Sequence, residues 1–139
     1  MTETVFPVST TVRARFRDTD AMGHVNNAVY SSYLEEARVV YWRELTGLED
    51  FTKVDLILAK VEINYRSPAF VGEAMTVNIR LSRIGGSSFD FEYRIIDKKT
   101  DRLVVEATST QCLYDYEKGR VKRIPADLKE KIATLEARG

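Results

Sequence analysis

The sequence predicts an α+β fold in which an antiparallel sheet wraps around one long helix. Three observations carry this expectation. Several stretches alternate apolar and polar residues with a period of two, the pattern of strands dry on one face only. One stretch, from about Asn27 to Thr46, repeats its apolar residues at spacings of three and four instead. Turn residues separate the stretches, with no linker, repeat or low-complexity tract between them, so residues 1–139 read as a single domain.

Residues 10–18 open the pattern, with Val12, Ala14 and Phe16 on one side and Arg13, Arg15 and Arg17 on the other. A polar loop with one glycine, Asp18 to Asn27, follows. The helical stripe is Tyr30, Leu34, Ala37, Tyr41 and Leu45, with Asn26 or Asn27 as N-cap and Gly47 as the stop. Val61, Ile63 and Tyr65 then alternate with charged and amide side chains, and Pro68 and Gly72 mark a turn. Met75 to Leu81 and Phe89 to Ile95 form two more alternating runs, joined through Gly85-Gly86-Ser87-Ser88. Asp97 to Asp101 is a hairpin turn, and residues 102–116 form the last long strand, with a noisier pattern. Pro125 opens a terminal helix with the stripe Leu128, Ile132 and Leu135, whose end, Glu136 onward, is expected to fray. A lone long helix and a sheet with one dry face bury each other most economically as two layers.

Composition excludes several classes. The 139 residues hold 21 basic and 21 acidic side chains, so no basic excess points to nucleic acid. An anionic ligand must be met by local donors. The single cysteine, Cys112, cannot form an internal disulfide and falls in an alternating stretch, which favours a buried structural thiol. The first residues lack a basic and apolar leader, and no apolar run reaches the ~20 residues of a membrane span, so the expected setting is the cytoplasm, with no membrane partner. One histidine and one cysteine are too few for a zinc site. No nucleophile elbow accompanies His24, which excludes a serine triad of that kind.

The informative stretch is Asp18-Thr19-Asp20-Ala21-Met22-Gly23-His24-Val25-Asn26-Asn27-Ala28-Val29-Tyr30. A strand, a loop with two carboxylates and a glycine, and a helix start supply what acyl transfer from a thioester requires. A carboxylate can attack or activate water, and the free N–H groups of a helix N-terminus can meet the developing oxyanion. Gly23 lets the backbone approach a ligand. The pattern Asp-x-Asp-x-x-Gly followed by a Tyr in the helix resembles the signature of the 4-hydroxybenzoyl-CoA thioesterase family of hotdog-fold proteins. The filling His24-Val25-Asn26-Asn27 is similar to the long-chain acyl-CoA branch of that family.

The resemblance implies an acyl-CoA thioesterase of hotdog fold, acting on fatty more than aromatic acyl groups, without a cofactor. It implies Asp20 as the catalytic carboxylate, the backbone of Asn27 polarising the carbonyl, a structural role for Asp18, and a pocket-shaping role for Tyr30. His24 is a candidate positioning residue in the catalytic set. Whether Asp20 is nucleophile or general base stays open. Arg83-Ile84-Gly85-Gly86-Ser87-Ser88 resembles the segment that holds CoA phosphates and pantetheine in related enzymes, making Arg83, Gly85, Gly86, Ser87 and Ser88 substrate-binding candidates; the other reading is an ordinary hairpin turn. The resemblance also implies a homodimer or homotetramer with a shared site. An acyl carrier protein substrate, a non-catalytic acyl-CoA-binding module and a hydratase are the competing readings, the last fitting the lone His24 poorly.

Overall fold

A computed structural model describes residues 4–49 and 54–138. Strand β1 (Val8–Arg13) leads through a 3₁₀ turn at Phe16–Asp18 and another at Asn27–Val29 into α1 (Tyr30–Thr46). Strands β2 (Leu56–Tyr65), β3 (Ala74–Ile84), β4 (Ser88–Asp97) and β5 (Leu103–Asp115) follow, then the two-residue β6 (Arg120–Val121) and α2 (Ala126–Ala137). All pairings are antiparallel, and the strands lie in the order β1-β3-β4-β5-β2 with β6 on the end of β5. The expected architecture, a sheet around one long helix, is what forms.

The helical stripe is buried as its period requires: Tyr30, Leu34, Ala37, Tyr41 and Leu45 all face the sheet. Each large apolar side chain so buried contributes about 1.5–3 kcal/mol. Asn26 is the cap, its Oδ1 accepting the Ala28 N–H at 2.9 Å. Gly47 closes the helix at φ 74°, in the left-handed region where a Cβ is costly. The inward residues of β3 and β4, including Met75, Ile79, Phe91 and Ile95, are fully buried.

Four expectations are corrected. The first strand ends at Arg13, and the 3₁₀ turn that follows throws Phe16 outward to 85% exposure instead of onto the dry face. Cys112 is only partly buried. The helix end does not fray at Glu136: its carboxylate accepts the Tyr41 O–H at 2.6 Å and the Leu81 N–H at 2.9 Å, and Arg138 donates to Pro7 O and Glu44. Finally, the apolar side of β2 is only partly covered among the described residues, Leu56 and Ile63 packing on the core. Its register against β5 pairs Leu58 with Gln111, Val61 with Ser109, Ile63 with Ala107 and Tyr65 with Val105, which sets these β2 residues on the helix side of the sheet. Leu58, Val61 and Tyr65 are nonetheless exposed, because α1 lies over β1 and β3 and β2 is an outer strand. Among the described residues no helix is long and apolar enough to cross a membrane.

Candidate active site

The two acids of the motif take opposite environments. Asp18 closes the 3₁₀ turn and is buried, and its Oδ2 accepts the Arg15 N–H at 2.9 Å and the Tyr33 O–H at 3.0 Å. Burial pushes its pKa up, but the bonds from Arg15 N–H and Tyr33 O–H, with the Arg15 charge, outweigh burial and hold the carboxyl below the usual carboxylate range. Burial and the Asp18 carboxylate push the Tyr33 phenol upward in turn. Asp18 is therefore a structural anion.

Asp20 is exposed, two residues further on. Its N–H donates to His24 O at 2.8 Å, and Gly23 N–H donates to Asp20 O at 3.0 Å. Thr19 bridges Val25, and Asn26 N–H donates to Asp18 O at 2.8 Å. This is a tight hairpin with a three-residue loop whose last position takes φ 80° at Gly23. A Cβ there would meet no atom within 4 Å, so the glycine is fixed by backbone conformation and not by crowding. Asp20 Oδ1 accepts one bond, from Met22 N–H at 2.9 Å. Pairing across the hairpin puts Asp20 beside His24. The His24 ring stands edge-on to Phe70, with centroids 4.9 Å apart.

The return strand of this hairpin runs straight into the helix. Asn27 begins the 3₁₀ turn, and its N–H has no acceptor among the described residues, whereas Ala28 and Val29 N–H are both taken by Asn26. One hairpin thus carries a lightly bonded carboxylate at its tip and leads to a free N–H at a helix start, where the positive end of the peptide dipoles adds to that N–H.

Loop 66–73 closes over this end of the sheet. Val25 N–H donates to Ala69 O at 2.8 Å, and Ala69 N–H donates to Tyr30 Oη at 3.3 Å. Tyr30 is buried beneath the loop, its ring edge-on to Tyr33 and Tyr65. Arg102 reaches across from the start of β5 to Ser67 Oγ, Pro68 O and the Glu73 carboxylate. Tyr65 O–H donates to Asn27 O at 3.0 Å. Tyr65, Phe70 and Arg102 were not candidates on sequence. Tyr65 ends an alternating run just before Pro68, which places it at the sheet end where the helix begins; Phe70 and Arg102 carry no such signal.

The second candidate segment is elsewhere. Ala74, at the start of β3, pairs with Arg13 near the Asp20 hairpin, while Ile84, at its other end, pairs with Phe89. The whole of β3, 11 residues or about 33 Å, separates them. Within one chain, then, Arg83 to Ser88 do not join Asp20, Gly23, His24, Asn27 and Tyr30. The Arg83 fork is also engaged, with Nε and Nη2 on Asp90 at 2.6 and 3.1 Å and Nη2 on Ser88 Oγ at 3.1 Å. Ser87 O and Gly86 O accept from Leu113 and Ile124 N–H, and Gly85 N–H closes the turn on Ser88 O at 2.7 Å. Among the described residues no three His, Cys, Asp or Glu side chains gather as a metal site would need.

Comparison with known proteins gives the family and the fold. The chain is 27% identical over 133 residues to the long-chain acyl-CoA thioesterase FadM of Escherichia coli (strain K12), covering 92% of this chain and 98% of that one. It is 28% identical over 123 residues to the acyl-CoA thioesterase YbgC of Haemophilus influenzae, covering 85% of this chain and 88% of that one. A crystal structure of a thioesterase complexed with coenzyme A and Zn from Thermus thermophilus superposes with a TM-score of 0.86 at 31% identity, covering 96% of this chain and 97% of that chain. The family model of the thioesterase-like superfamily matches residues 14–132, which spans the Asp20 hairpin, the helix and the whole of the sheet except β1. The chain is a hotdog-fold protein and belongs to the thioesterase-like superfamily.

Proposed function

We propose that the protein hydrolyses acyl-CoA to the free acid and CoA, with fatty acyl groups preferred over aromatic ones. The observation that carries this reading is that one short hairpin bears an exposed, lightly bonded Asp20 at its tip and leads straight to the free Asn27 N–H at the helix start. The thioester carbonyl lies against the Asn27 N–H, which draws electron density toward the oxygen. Asp20 either attacks the carbonyl carbon itself, giving a mixed anhydride that water then opens, or takes a proton from the attacking water. In both routes one water is consumed, the C–S bond breaks, and CoA leaves as the thiol. His24 positions the carboxylate from across the hairpin.

The quaternary arrangement we infer is a homodimer, or a pair of such dimers, joined along β2. Among the described residues this outer strand has an unpaired edge and exposes Leu58, Val61 and Tyr65. A two-fold axis through β2 would pair the strand with its copy antiparallel and bring the partner's Gly85–Ser88 turn to the same end of the joined sheet as Asp20. That would reunite the two segments that a single chain keeps apart, with Gly86 and the neighbouring serines receiving the CoA portion.

The test is thiol release from short, medium, long and aromatic acyl-CoAs by the wild type and Asp20→Asn, with the background from Cys112 subtracted. Turnover that collapses in Asp20→Asn while the circular dichroism is unchanged supports the reading. Turnover insensitive to Asp20→Asn refutes the assigned carboxylate, and binding of acyl-CoA without thiol release points to a binding module.

A further inference from the structure

The cleft between α1 and β2 has a floor that ends in an unanswered donor. Asn27, Glu35 and Arg38 share one face of the helix. Opposite them stands the partly covered side of β2, from Tyr65, hydrogen-bonded to Asn27 O, to Leu58 and Leu56. The inward residues of β5 between them are Val105, Ala107, Ser109 and Gln111. Asn27 and Arg38 lie about 17 Å apart along this direction. Around Arg38 lies a groove of about 310 Å³, apolar at Val54, Leu56 and Leu58 and polar at Glu35, Arg38 and Gln111.

Gln111 is 2% exposed, and its Nε2 is buried with no hydrogen-bond partner among the described residues. Its neighbours are not in that position. Arg38 donates to Tyr93 Oη at 3.2 Å, and Tyr93 and Ser109 share a hydrogen bond of 2.5 Å. Folded proteins seldom leave a buried amide N–H unpaired, because losing its water without gaining an acceptor is costly. The half-exposed Arg38 guanidinium lines the same groove. Gln111 and Arg38 therefore place two donors on one groove, with Asn27 toward the other end of the strip between α1 and β2.

We propose that Gln111, assisted by Arg38, reads an uncharged oxygen, a hydroxyl or carbonyl, at the distal end of a medium-length acyl chain. The inference rests on the thioesterase reading and adds the substrate class: oxygenated acyl thioesters over plain ones of equal length. Glu35 beside Arg38 disfavours a second carboxylate there. A hydroxyl or carbonyl accepts from Nε2 without adding negative charge. Gln111 thus acts in specificity and touches no reacting atom.

The experiment compares kcat/KM for ω-hydroxydodecanoyl-CoA and dodecanoyl-CoA in the wild type, Gln111→Met and Gln111→Glu. The wild type is expected to favour the hydroxylated ester about tenfold or more. Both variants should lose that preference, and Gln111→Met should melt higher than the wild type, since an unpaired buried amide has been replaced by an apolar chain. Equal turnover of the two esters by the wild type overturns the proposal, leaves the thioesterase reading intact and assigns the amide to a buried water. A preference that survives in both variants overturns the role of Gln111. A lower melting point together with loss of the homo-oligomer in Gln111→Met overturns it in favour of a contact with a second copy. Turnover of no acyl-CoA by the wild type removes the thioesterase reading and this inference with it.

Discussion

The two glycine-bearing turns at opposite ends of the sheet contrast in what their charged groups are free to do. In the hairpin at Asp20, the acid that could react accepts one backbone N–H, and the acid that supports it, Asp18, is fully committed. In the turn at Gly85-Gly86, the cation that could hold a phosphate is already committed, to Asp90 across the strand pair. Both segments offer glycine, hydroxyls and charge at suggestive spacings. What separates them is the neighbour that the fold delivers. A motif specifies which groups are present, and strand register decides which of them remain available.

The largest expected effect sharpens the contrast at its reactive end. Asp20→Asn should lower kcat by about a thousandfold, within the range for removing a nucleophile or general base, with the melting point little changed. Asp18→Ala should do the reverse. It strands the Tyr33 hydroxyl and Arg15 N–H, costing about 3 kcal/mol in urea unfolding, with activity lost only as folding is lost.

The pH dependence follows from the same site. Asp18 has a lowered pKa in the folded chain, so it binds protons less readily there than when unfolded. Its contribution is complete above the ordinary carboxylate pKa of about 4 and disappears as pH falls through the lower folded value. Unfolding followed from pH 6 downward should therefore show a steeper acid decline in the wild type than in Asp18→Asn. A smaller effect, about 1 kcal/mol, is expected for Gly23→Ala, which meets open space but must hold a left-handed backbone. The smallest is expected for Arg83→Gln, with KM for acyl-CoA changing less than about threefold, because its fork serves Asp90. A tenfold rise in KM would break the comparison and put the Arg83 fork in contact with the CoA portion.

Much of this was legible in the sequence. The stripe Tyr30, Leu34, Ala37, Tyr41, Leu45 has one solution, because only a helix brings those spacings to one face, and all five are buried. Phe16 misled because strand alternation was carried past Ala14; the carboxylate of Asp18 takes the Arg15 N–H and turns the chain there. Arg83 looked available because its partner stands seven residues away across a hairpin, visible only once Arg83 and Asp90 are paired by register. The side of β2 at Val61, Ile63 and Tyr65 reads as dry by alternation, but among the described residues it is only partly covered, with Ile63 packed on the core and Val61 and Tyr65 exposed. Gln111 left one faint mark, a long amide at an inward position of the noisy last strand, in step with Ala107, Ser109 and Leu113.

Loop 66–73 is held from outside itself, by the Tyr30 hydroxyl and by the Arg102 fork on Ser67, Pro68 and Glu73. Of the side chains it presents outward, Phe70 stands against the His24 ring, whereas Val71 takes little part in that restraint. This divides the work in a way that matters for evolution. Residues at the loop's crest can drift, and with them the shape offered to an incoming molecule, while the restraints behind them keep the Asp20 hairpin in register. A scaffold so divided can acquire new preferences by a few outward substitutions without rebuilding its reactive centre.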